Sequence, residues 1–444
     1  MYLNCHSHFS LNYGIMSPEE LLQHALAMGI KRMVLTDINN TSGCLDFLRL
    51  APNPPYKIAV SIGVDFRRDN KQLFVAIAKN NQGFKEINEY LSIYRTAHTD
   101  IPDTIPYLPN CFIIHPWYKG KSVALGTNEY IGIHPDDVTT FRLFGKQYPN
   151  DKQVVLATAT FRNKKDFNTH RLLRAIDNNE LLSRLPKEQE GSSTDTLKPM
   201  QKLIDAFDEL PHAITNADAL LRQCHVDLSF GQKKNKKHFC HTHTEDMAML
   251  NQLAEEGLAY RYGTQPPSKI TARFQSELKT IEDLGFAAYF LINWDIIRFA
   301  KSRGFFYIGR GSGANSLIAY CLQITDVDPI ELDLYFERFI NPSRRNPPDF
   351  DIDFSHTDRD EVRQYIFDKY AGHVALVGSY STFEFKSSVR QIGKVFGLPD
   401  EEIDNLQSER LDVKRLDEYG KLVLKYAAYI QGMPNQLSIH ACGI

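Results

Sequence analysis

The sequence predicts an α/β protein, and three observations support this fold class. Residues 17–20 combine an N-cap serine (Ser17), a proline in the first turn and a glutamate (Glu20) at the capping-box position, so a helix begins there. The apolar run 32–36 follows as a strand, which makes a βα alternation. Similar strand-like runs continue it, at 57–60, 73–77 and 154–157. We therefore expect a layered or barrel α/β domain over roughly the first two hundred residues.

Composition bounds the class of protein without indicating its function. The chain has 444 residues, 43% hydrophobic and 24% charged, which is enough for a buried core and roughly three domains. The amino terminus lacks a signal pattern, and the apolar runs are too short to cross a bilayer, so we expect a cytoplasmic protein without a membrane partner. Seven scattered cysteines argue against a disulfide framework. A net charge of −3 means that any nucleic acid must meet local basic surface.

The composition changes along the chain, which indicates domain boundaries. Residues 188–237 are polar, and we place the main boundary there. The lysine run 233–237 either follows a phosphate backbone or forms a solvated loop. Helical periodicity follows from Thr244 and again over 274–301, and the tail 384–430 predicts a small helical subdomain.

A glycine-rich turn lies between a strand-like and a helix-like run, in the sequence Gly309-Arg310-Gly311-Ser312-Gly313-Ala314-Asn315-Ser316. Glycines let the backbone approach a ligand, the amides at a helix start point outward, and Arg310 adds a charged donor, which together suit a polyphosphate. The alternative is a tight turn in which Ser312 only caps the helix. The turn alone does not decide between them.

An acidic strand follows within forty residues, where Asp349, Asp351 and Asp353 alternate with apolar side chains. A period of two puts the three carboxylates on one face of a strand. Clustered carboxylates repel one another unless a cation lies between them, and Mg²⁺ prefers carboxylate and phosphate oxygen. The alternative is an exposed edge strand with a polar face. Together with the glycine-rich turn, the strand favours nucleotidyl transfer with two magnesium ions.

These residues resemble the palm of the bacterial C-family DNA polymerases, the DNA polymerase III alpha subunits. The resemblance rests on Tyr289-Phe290-Leu291-Ile292, GRGSGANSLIAY, Ile324-Thr325-Asp326, Asp328-Pro329, Phe336-Glu337-Arg338-Phe339, Asn341-Pro342 and PDFDIDF. It extends weakly to residues 378–397 and 440–443, and upstream to an amino-terminal PHP domain.

The resemblance implies specific site residues. Asp349 and Asp351 would bind the catalytic Mg²⁺ ions, and template-primer phosphates would meet Lys386 and Arg390, which lie four apart on one helix face. The incoming dNTP would contact the glycine-rich turn and one later arginine, namely Arg310, Gly311, Ser312 and Arg338.

The chain also departs from the family pattern. A third catalytic aspartate and the fingers would follow beyond Ile444, and Cys442 stands where a glycine is usual. We therefore expect a fragment that cannot sustain polymerisation alone.

In the PHP domain, the ligand positions are only partly kept. The residues His6, His8, Asp37 and Asp65 could hold one residual ion. Apolar and cationic residues replace other ligands, at Ile38, Tyr13, Leu73 and 159–162. We expect no working Zn²⁺ or Mn²⁺ cluster, and the domain would then serve folding and docking.

The resulting expectation is a template-directed DNA polymerase subunit, with a PHP-type (βα) barrel-like domain (1–220), a mixed α/β nucleotidyltransferase-like palm (221–377), a helical thumb (378–436) and the start of a palm return (437–444). Its partners would be template-primer DNA, dNTPs, a sliding clamp and other replication or repair subunits, and a role in repair synthesis is one hypothesis. The alternatives are a PHP-family phosphoesterase or exonuclease, and a DNA-clamping scaffold without activity.

Overall fold

The computed structural model describes residues 1–232, 236–341, 349–408, 416–440 and 443–444. The chain divides into two compact units. The first joins Met1–Phe230 with Gly378–Ile439, and the second joins Gly231–Val377 with His440–Ile444. The first division lies inside the polar stretch where the sequence placed the main boundary. The limits of the four expected domains remain predictions.

An eight-stranded sheet forms the centre of the first unit. Its strands are β1 (Tyr2–Cys5), β2 (Arg32–Leu35), β3 (Ala59–Arg68), β4 (Lys71–Ala78), β5 (Cys111–Pro116), β6 (Glu129–Ile133), β7 (Gln153–Val155) and β8 (Thr158–Ala159). Their order is β7-β6-β5-β4-β3-β2-β1-β8. β4 runs antiparallel to both neighbours, and the other pairs are parallel. The predicted α/β class is confirmed, although β3 begins later and runs further than the apolar run 57–60 indicated.

The sheet curls, and its strand order shows why. β7 and β8 lie at opposite edges of the sheet, yet only two residues separate them in sequence. Three Cα steps reach at most about 11 Å. The edges must therefore approach each other, as in a barrel, and the carboxyl ends of β1, β2 and β8 meet at one end of it.

The helices of this part of the unit are α1 (Pro18–Ala27), α2 (Cys44–Leu50), α3 (Asn81–Ala97), α4 (Val138–Phe144), α5 (Lys164–Asp177), α6 (Met200–Ala206) and α7 (Pro211–Arg222). Of these, α2 packs against β3, α3 against β4 and α7 against β7. The capping box predicted for α1 is confirmed, because the amide of Glu20 donates to Ser17 Oγ and the amide of Ser17 donates to the Glu20 carboxylate. Leu21, Leu22 and Ala25 are the buried face of α1.

The second unit is built mainly of helices around a two-stranded sheet. Its elements are α8 (His243–Tyr262), α9 (Ser268–Leu284), α10 (Ala287–Ser302), β9 (Tyr307–Arg310), α11 (Leu317–Cys321), β10 (Asp351–Phe354) and α12 (Arg359–Lys369). β9 and β10 pair antiparallel. α8 to α11 share one core, and the sequence predicted its first members, Met247 and Leu250.

The carboxyl-terminal part of the first unit is a small, mostly helical subdomain, as the tail predicted. It contains β11 (Gly378–Thr382), α13 (Phe385–Phe396), α14 (Asp400–Leu406), α15 (Glu418–Ile430) and β12 (Pro434–Ile439). β11 pairs antiparallel with β12. Val389 and Ile392 of α13 share a buried cluster with Leu172 and Leu173 of α5. This core therefore joins the subdomain to the barrel-like sheet.

Among the helices that the structure describes, none has both the length and the apolar character needed to cross a bilayer.

Candidate active site in the second unit and the PHP residues

The paired strands β9 and β10 bring the two predicted motifs together. Asp351 lies opposite Arg310 in the register, and Asp353 lies opposite Ile308. The carboxylates of Asp351 and Asp353 both meet Arg310, at 3.3 Å from Nη1 and 2.6 Å from Nε respectively. These two aspartates therefore share one face of β10, as the period of two predicted.

The opposite face of the acidic strand is anchored in the core. Phe350 stacks on Tyr289 with ring centroids 5.4 Å apart, and it packs against Phe339 at 4.9 Å. The amide of Phe350 donates to the Tyr289 hydroxyl at 3.0 Å. This anchor fixes the backbone between Asp349 and Asp351, so both carboxylates are carried by a well-held segment.

Gly311 is required at its position for two reasons. Its φ is +70°, in the left-handed region that favours glycine. A Cβ placed there would lie 2.4 Å from Oδ2 of Asp351. The backbone of the glycine-rich turn therefore reaches the carboxylate of the acidic strand more closely than any other residue type allows.

Ser316, and not Ser312, caps α11. The Ser316 hydroxyl accepts from the amide of Ala319 at 3.1 Å. Residues Gly311–Asn315 form a 3-10 turn before it, in which Ser312 is half-buried and its carbonyl accepts from Asn315. The interpretation of the turn as a helix cap at Ser312 is therefore wrong.

A buried ion pair, which the sequence analysis missed, supports this turn from α9. Glu277 is 1% exposed and pairs with Arg273 at 2.9 Å. The Ser316 hydroxyl and the Ile318 amide both donate to Glu277 Oε2. Burial raises the pKa of Glu277, while Arg273 opposes that rise. An Arg and a Glu spaced i, i+4 on the apolar side of α9 were the signal.

Because of this ion pair, the first amides of α11 are not available to bind a phosphate. The first amides of α11, expected to point outward, are already bonded to Glu277 and Ser316. Arg273 also donates to the carbonyl of Asn315 at 2.8 Å and to the carbonyl of Leu334 at 2.6 Å. It thereby ties the glycine-rich turn to the segment that precedes Arg338.

Arg338 lies close to the glycine-rich turn. It ends a 3-10 turn, Phe336–Arg338, which neighbours the turn Gly311–Asn315. Phe336 and Phe339 are buried, whereas Arg338 is exposed. The predicted phosphate contacts thus lie close together in one unit: Arg310 ends β9, Gly311 and Ser312 begin the turn that follows it, and Arg338 ends the adjacent turn.

The predicted DNA contacts belong to the first unit. Lys386 and Arg390 are both on α13, as their spacing indicated. Lys386 is exposed, whereas Arg390 pairs with Asp404 of α14 at 2.6 Å and lies 3.7 Å from Asp400. Their role in DNA binding remains a prediction.

The acidic strand fits a hard divalent cation. Its donors are the carboxylate oxygens of Asp349, which is exposed, and of Asp351, whose side chain is 46% exposed, and Gly311 leaves the approach to Asp351 open. Oxygen donors that keep access to water suit Mg²⁺, which retains several water ligands.

The four PHP residues are arranged differently, around Asp65. Asp65 is fully buried in β3, and its Oδ2 accepts from Arg67 at 3.0 and 2.7 Å and lies 3.0 Å from Nε2 of His6. Nδ1 of His6 meets the Thr160 hydroxyl at 2.9 Å. Burial would raise the pKa of Asp65, but the Arg67 charge and the bond to His6 lower it to about 2.

Asp37 and His8 are also engaged by protein groups. The Asp37 carboxylate accepts from the Ser7 amide at 2.7 Å, from the Ser7 hydroxyl at 2.8 Å and from the Ser10 hydroxyl at 2.7 Å. His8 packs edge-on against Phe9, and burial lowers its pKa to about 4.

The Arg67 guanidinium occupies the position beside Asp65 that a metal ion bound by Asp65 would take. A guanidinium bonded to Asp65 already compensates that carboxylate, so the residues present do not fit a metal cluster. In the described ranges, no three His, Cys, Asp or Glu side chains are grouped to hold a metal ion. The sequence reasoning missed Arg67, although Asp65 and Arg67 are two apart on one strand and so share a face.

Comparisons with known proteins assign both parts of the chain. The family model for the PHP domain matches residues 3–120. The model for the bacterial DNA polymerase III alpha NTPase domain matches residues 248–444. The DNA polymerase III subunit alpha of Bacillus subtilis (strain 168) is 32% identical over 497 aligned residues, which cover 100% of this chain and 44% of that protein.

By these matches, the chain is similar to the bacterial DNA polymerase III alpha subunits over its whole length.

Relatives named error-prone DNA polymerase match as well. The error-prone DNA polymerase of Symbiobacterium thermophilum is 29% identical and covers 91% of this chain and 42% of that protein. That of Anaeromyxobacter dehalogenans (strain 2CP-C) is 40% identical over 215 residues, 44% of this chain and 19% of that protein. The chain thus spans less than half the length of these relatives.

Proposed function

We propose that this chain supplies the PHP domain and the catalytic-metal strand of a template-directed DNA polymerase, which adds dNTPs to a primer 3′-hydroxyl. Its substrates would be template-primer DNA and dNTPs, and its metal would be Mg²⁺. In the cell it would act in the cytoplasm with a sliding clamp and other replication or repair subunits. Relatives named as DNA polymerase III subunit alpha and as error-prone DNA polymerase support this class of reaction.

One observation carries the proposal. The backbone of Gly311 approaches Oδ2 of Asp351 so closely that a Cβ would lie 2.4 Å from it. A turn suited to a triphosphate and a carboxylate suited to its metal are thus in direct contact. A dNTP carries its phosphates and its Mg²⁺ together, so adjacent sites for both are what nucleotidyl transfer requires.

Each residue has a part in this scheme. Asp349 and Asp351 would hold the magnesium ions, which supply a Lewis acid for the attacking hydroxyl and the leaving pyrophosphate. Gly311 and Ser312 would offer backbone and hydroxyl donors to the triphosphate, with Arg310 and Arg338 as cationic donors beside them.

In this scheme, the exposed Lys386 would bind the phosphates of the template-primer backbone through its charge, together with Arg390 from the same helix face. Such contacts position the duplex without reading its sequence, so their loss would weaken binding to all templates alike.

The test is primer extension by the protein that carries this sequence, with Asp351→Asn compared with Asp360→Asn. Asp360 is 61% exposed in α12, and its ion pairs within the described part of the chain are with Arg359 and Arg363 of the same helix, so its variant removes an equal charge without touching β10. We expect Asp351→Asn to lower the extension rate by about 10³-fold or more, at unchanged affinity for template-primer DNA, and Asp360→Asn to change it little. Extension by Asp351→Asn within about tenfold of the parent would refute the proposed function.

A further inference from the structure

The side chain of Arg310 lies across the carboxylates that are proposed to bind the metal. Its Nε is 2.6 Å from Asp353 Oδ2, and its Nη1 is 3.3 Å from Asp351 Oδ2. The Arg310 side chain is 53% exposed, so water reaches it. One cationic side chain therefore compensates two of the three aspartates of the strand.

The two contacts are unequal, and the difference assigns a role to Asp353. The bond to Asp353 is the shorter, and it uses Nε, the nitrogen nearest the backbone, which fixes the direction of the guanidinium. The longer contact to Asp351 uses a terminal nitrogen. Losing the second contact need not break the first, because they are made by different atoms of the guanidinium.

Arg310 also directly precedes the residue that touches Asp351. It is opposite Asp351 in the β9–β10 register, and Gly311 begins the 3-10 turn Gly311–Asn315. A terminal guanidinium nitrogen released from Asp351 would remain beside this turn, because Asp353 would still hold the side chain by Nε. Charge-assisted donors at such a position suit phosphate oxygens.

We propose that Arg310 is an internal counter-ion that competes with the divalent cation for Asp351, and that Asp353 is a positioning residue for Arg310 and not a metal ligand. This inference rests on the proposed function. Occupation of Asp351 by the cation releases the terminal guanidinium nitrogens, which then face the triphosphate. One side chain thus couples metal loading to phosphate binding.

The experiment measures binding of Mn²⁺, the probe used in place of Mg²⁺, to this 444-residue chain by electron paramagnetic resonance of the free ion. Asp351→Asn defines the binding that belongs to the site. We expect Arg310→Gln to bind Mn²⁺ about three- to tenfold more tightly, as loss of a half-exposed competing charge implies. Arg310→Lys keeps the charge but loses the planar guanidinium that bonds both aspartates, so its Mn²⁺ affinity should lie between those of Arg310→Gln and the parent.

The matched control is Arg303→Gln. Arg303 lies in the same unit and pairs with Glu361 of α12, so its variant removes the same charge without freeing Asp351. Its Mn²⁺ affinity should stay that of the parent. An equal gain in Arg303→Gln would show a general charge effect and would overturn the role of Arg310.

The role of Asp353 is tested in a variant that lacks the Arg310 guanidinium. In the Arg310→Gln background, Asp353→Asn should change the Mn²⁺ affinity by less than about fivefold, whereas a larger loss would make Asp353 a ligand and overturn its positioning role. If Arg310→Gln and the parent bind Mn²⁺ equally through Asp351, the inference fails and the proposed function stands. If neither shows binding that depends on Asp351, both fail.

Discussion

Replacing Arg67 with methionine should strongly destabilise the PHP domain. Arg67 and Asp65 are 8% and 0% exposed, and Asp65 Oδ1 has no hydrogen-bond partner among the described atoms. Methionine is similar in length but carries no charge. The substitution therefore leaves the Asp65 carboxylate buried with His6 and Asn4 as its remaining partners.

The size of the effect follows from that burial. Breaking a buried ion pair by removing one partner costs about 3–5 kcal/mol, and we expect the lower end because His6 remains bonded to Asp65. Removing the stranded charge as well, in Arg67→Met with Asp65→Asn, should recover part of the loss. A double-mutant cycle then gives the coupling between the two side chains.

The effect should also depend on pH. The folded-state pKa of Asp65 is lowered to about 2, below its ordinary value of 3.8. A carboxyl with a lowered pKa contributes stability that is present above the unfolded pKa and is lost as the pH falls through the folded pKa. The deficit of Arg67→Met relative to the parent should therefore be full at pH 7 and shrink as the pH falls from about 4 towards 2.

The chain offers a clean reporter for this measurement. It has two tryptophans, Trp117 in the first unit and Trp294 in the second. In a Trp294→Phe background, urea unfolding followed by the fluorescence of buried Trp117 reports the first unit alone.

The control is Arg68→Met, one residue further along β3, where Arg68 pairs with the exposed Asp103 and should matter little. An unfolding midpoint for Arg67→Met equal to that of Arg68→Met, or a deficit independent of pH, would refute the reasoning.

Three further predictions concern the glycine-rich turn, its support and the joined subdomain. Glu277→Ala removes a buried hydrogen-bond acceptor of the turn, so the free energy of unfolding of the second unit should fall by about 2–4 kcal/mol. Urea unfolding followed by Trp294 fluorescence in a Trp117→Phe background measures it, and an unchanged midpoint would contradict the prediction. Gly311→Ala forces a Cβ towards Asp351 at a positive φ, so primer extension should fall at least about tenfold, and normal extension would show that the close approach is not needed. Tyr429→Phe removes a hydroxyl that donates to the Asp166 carboxylate, so the amides of α15 should lose about 1–2 kcal/mol of protection in hydrogen exchange. Unchanged protection would show that this hydrogen bond is dispensable.

Local signals in the sequence predicted several features correctly. The start of α1 was predicted because Ser17 and Glu20 bond to each other's backbone, which needs no distant partner. The shared face of Asp351 and Asp353 followed from strand periodicity alone. Such features depend on residues within a few positions of each other.

Features that depend on distant partners were missed. Glu277 supports a turn about forty residues away in sequence, and nothing near it indicates that contact. β3 runs well past the predicted run 57–60 and includes Asp65 and Arg67, whose charged side chains neutralise each other inside the protein. A sequence read with local rules counts such a pair as surface.

The edge pairing of the curled sheet sets an order of events for synthesis. β1 pairs with β8, with Asn4 opposite Thr158 and Cys5 opposite Ala159. One edge of the first strand therefore stays unpaired until a strand more than 150 residues later has been synthesised. At about 5–20 residues per second, a ribosome needs roughly 10–30 s to make that partner. During this time the apolar strand presents an open edge, which makes the nascent chain prone to pairing with other chains.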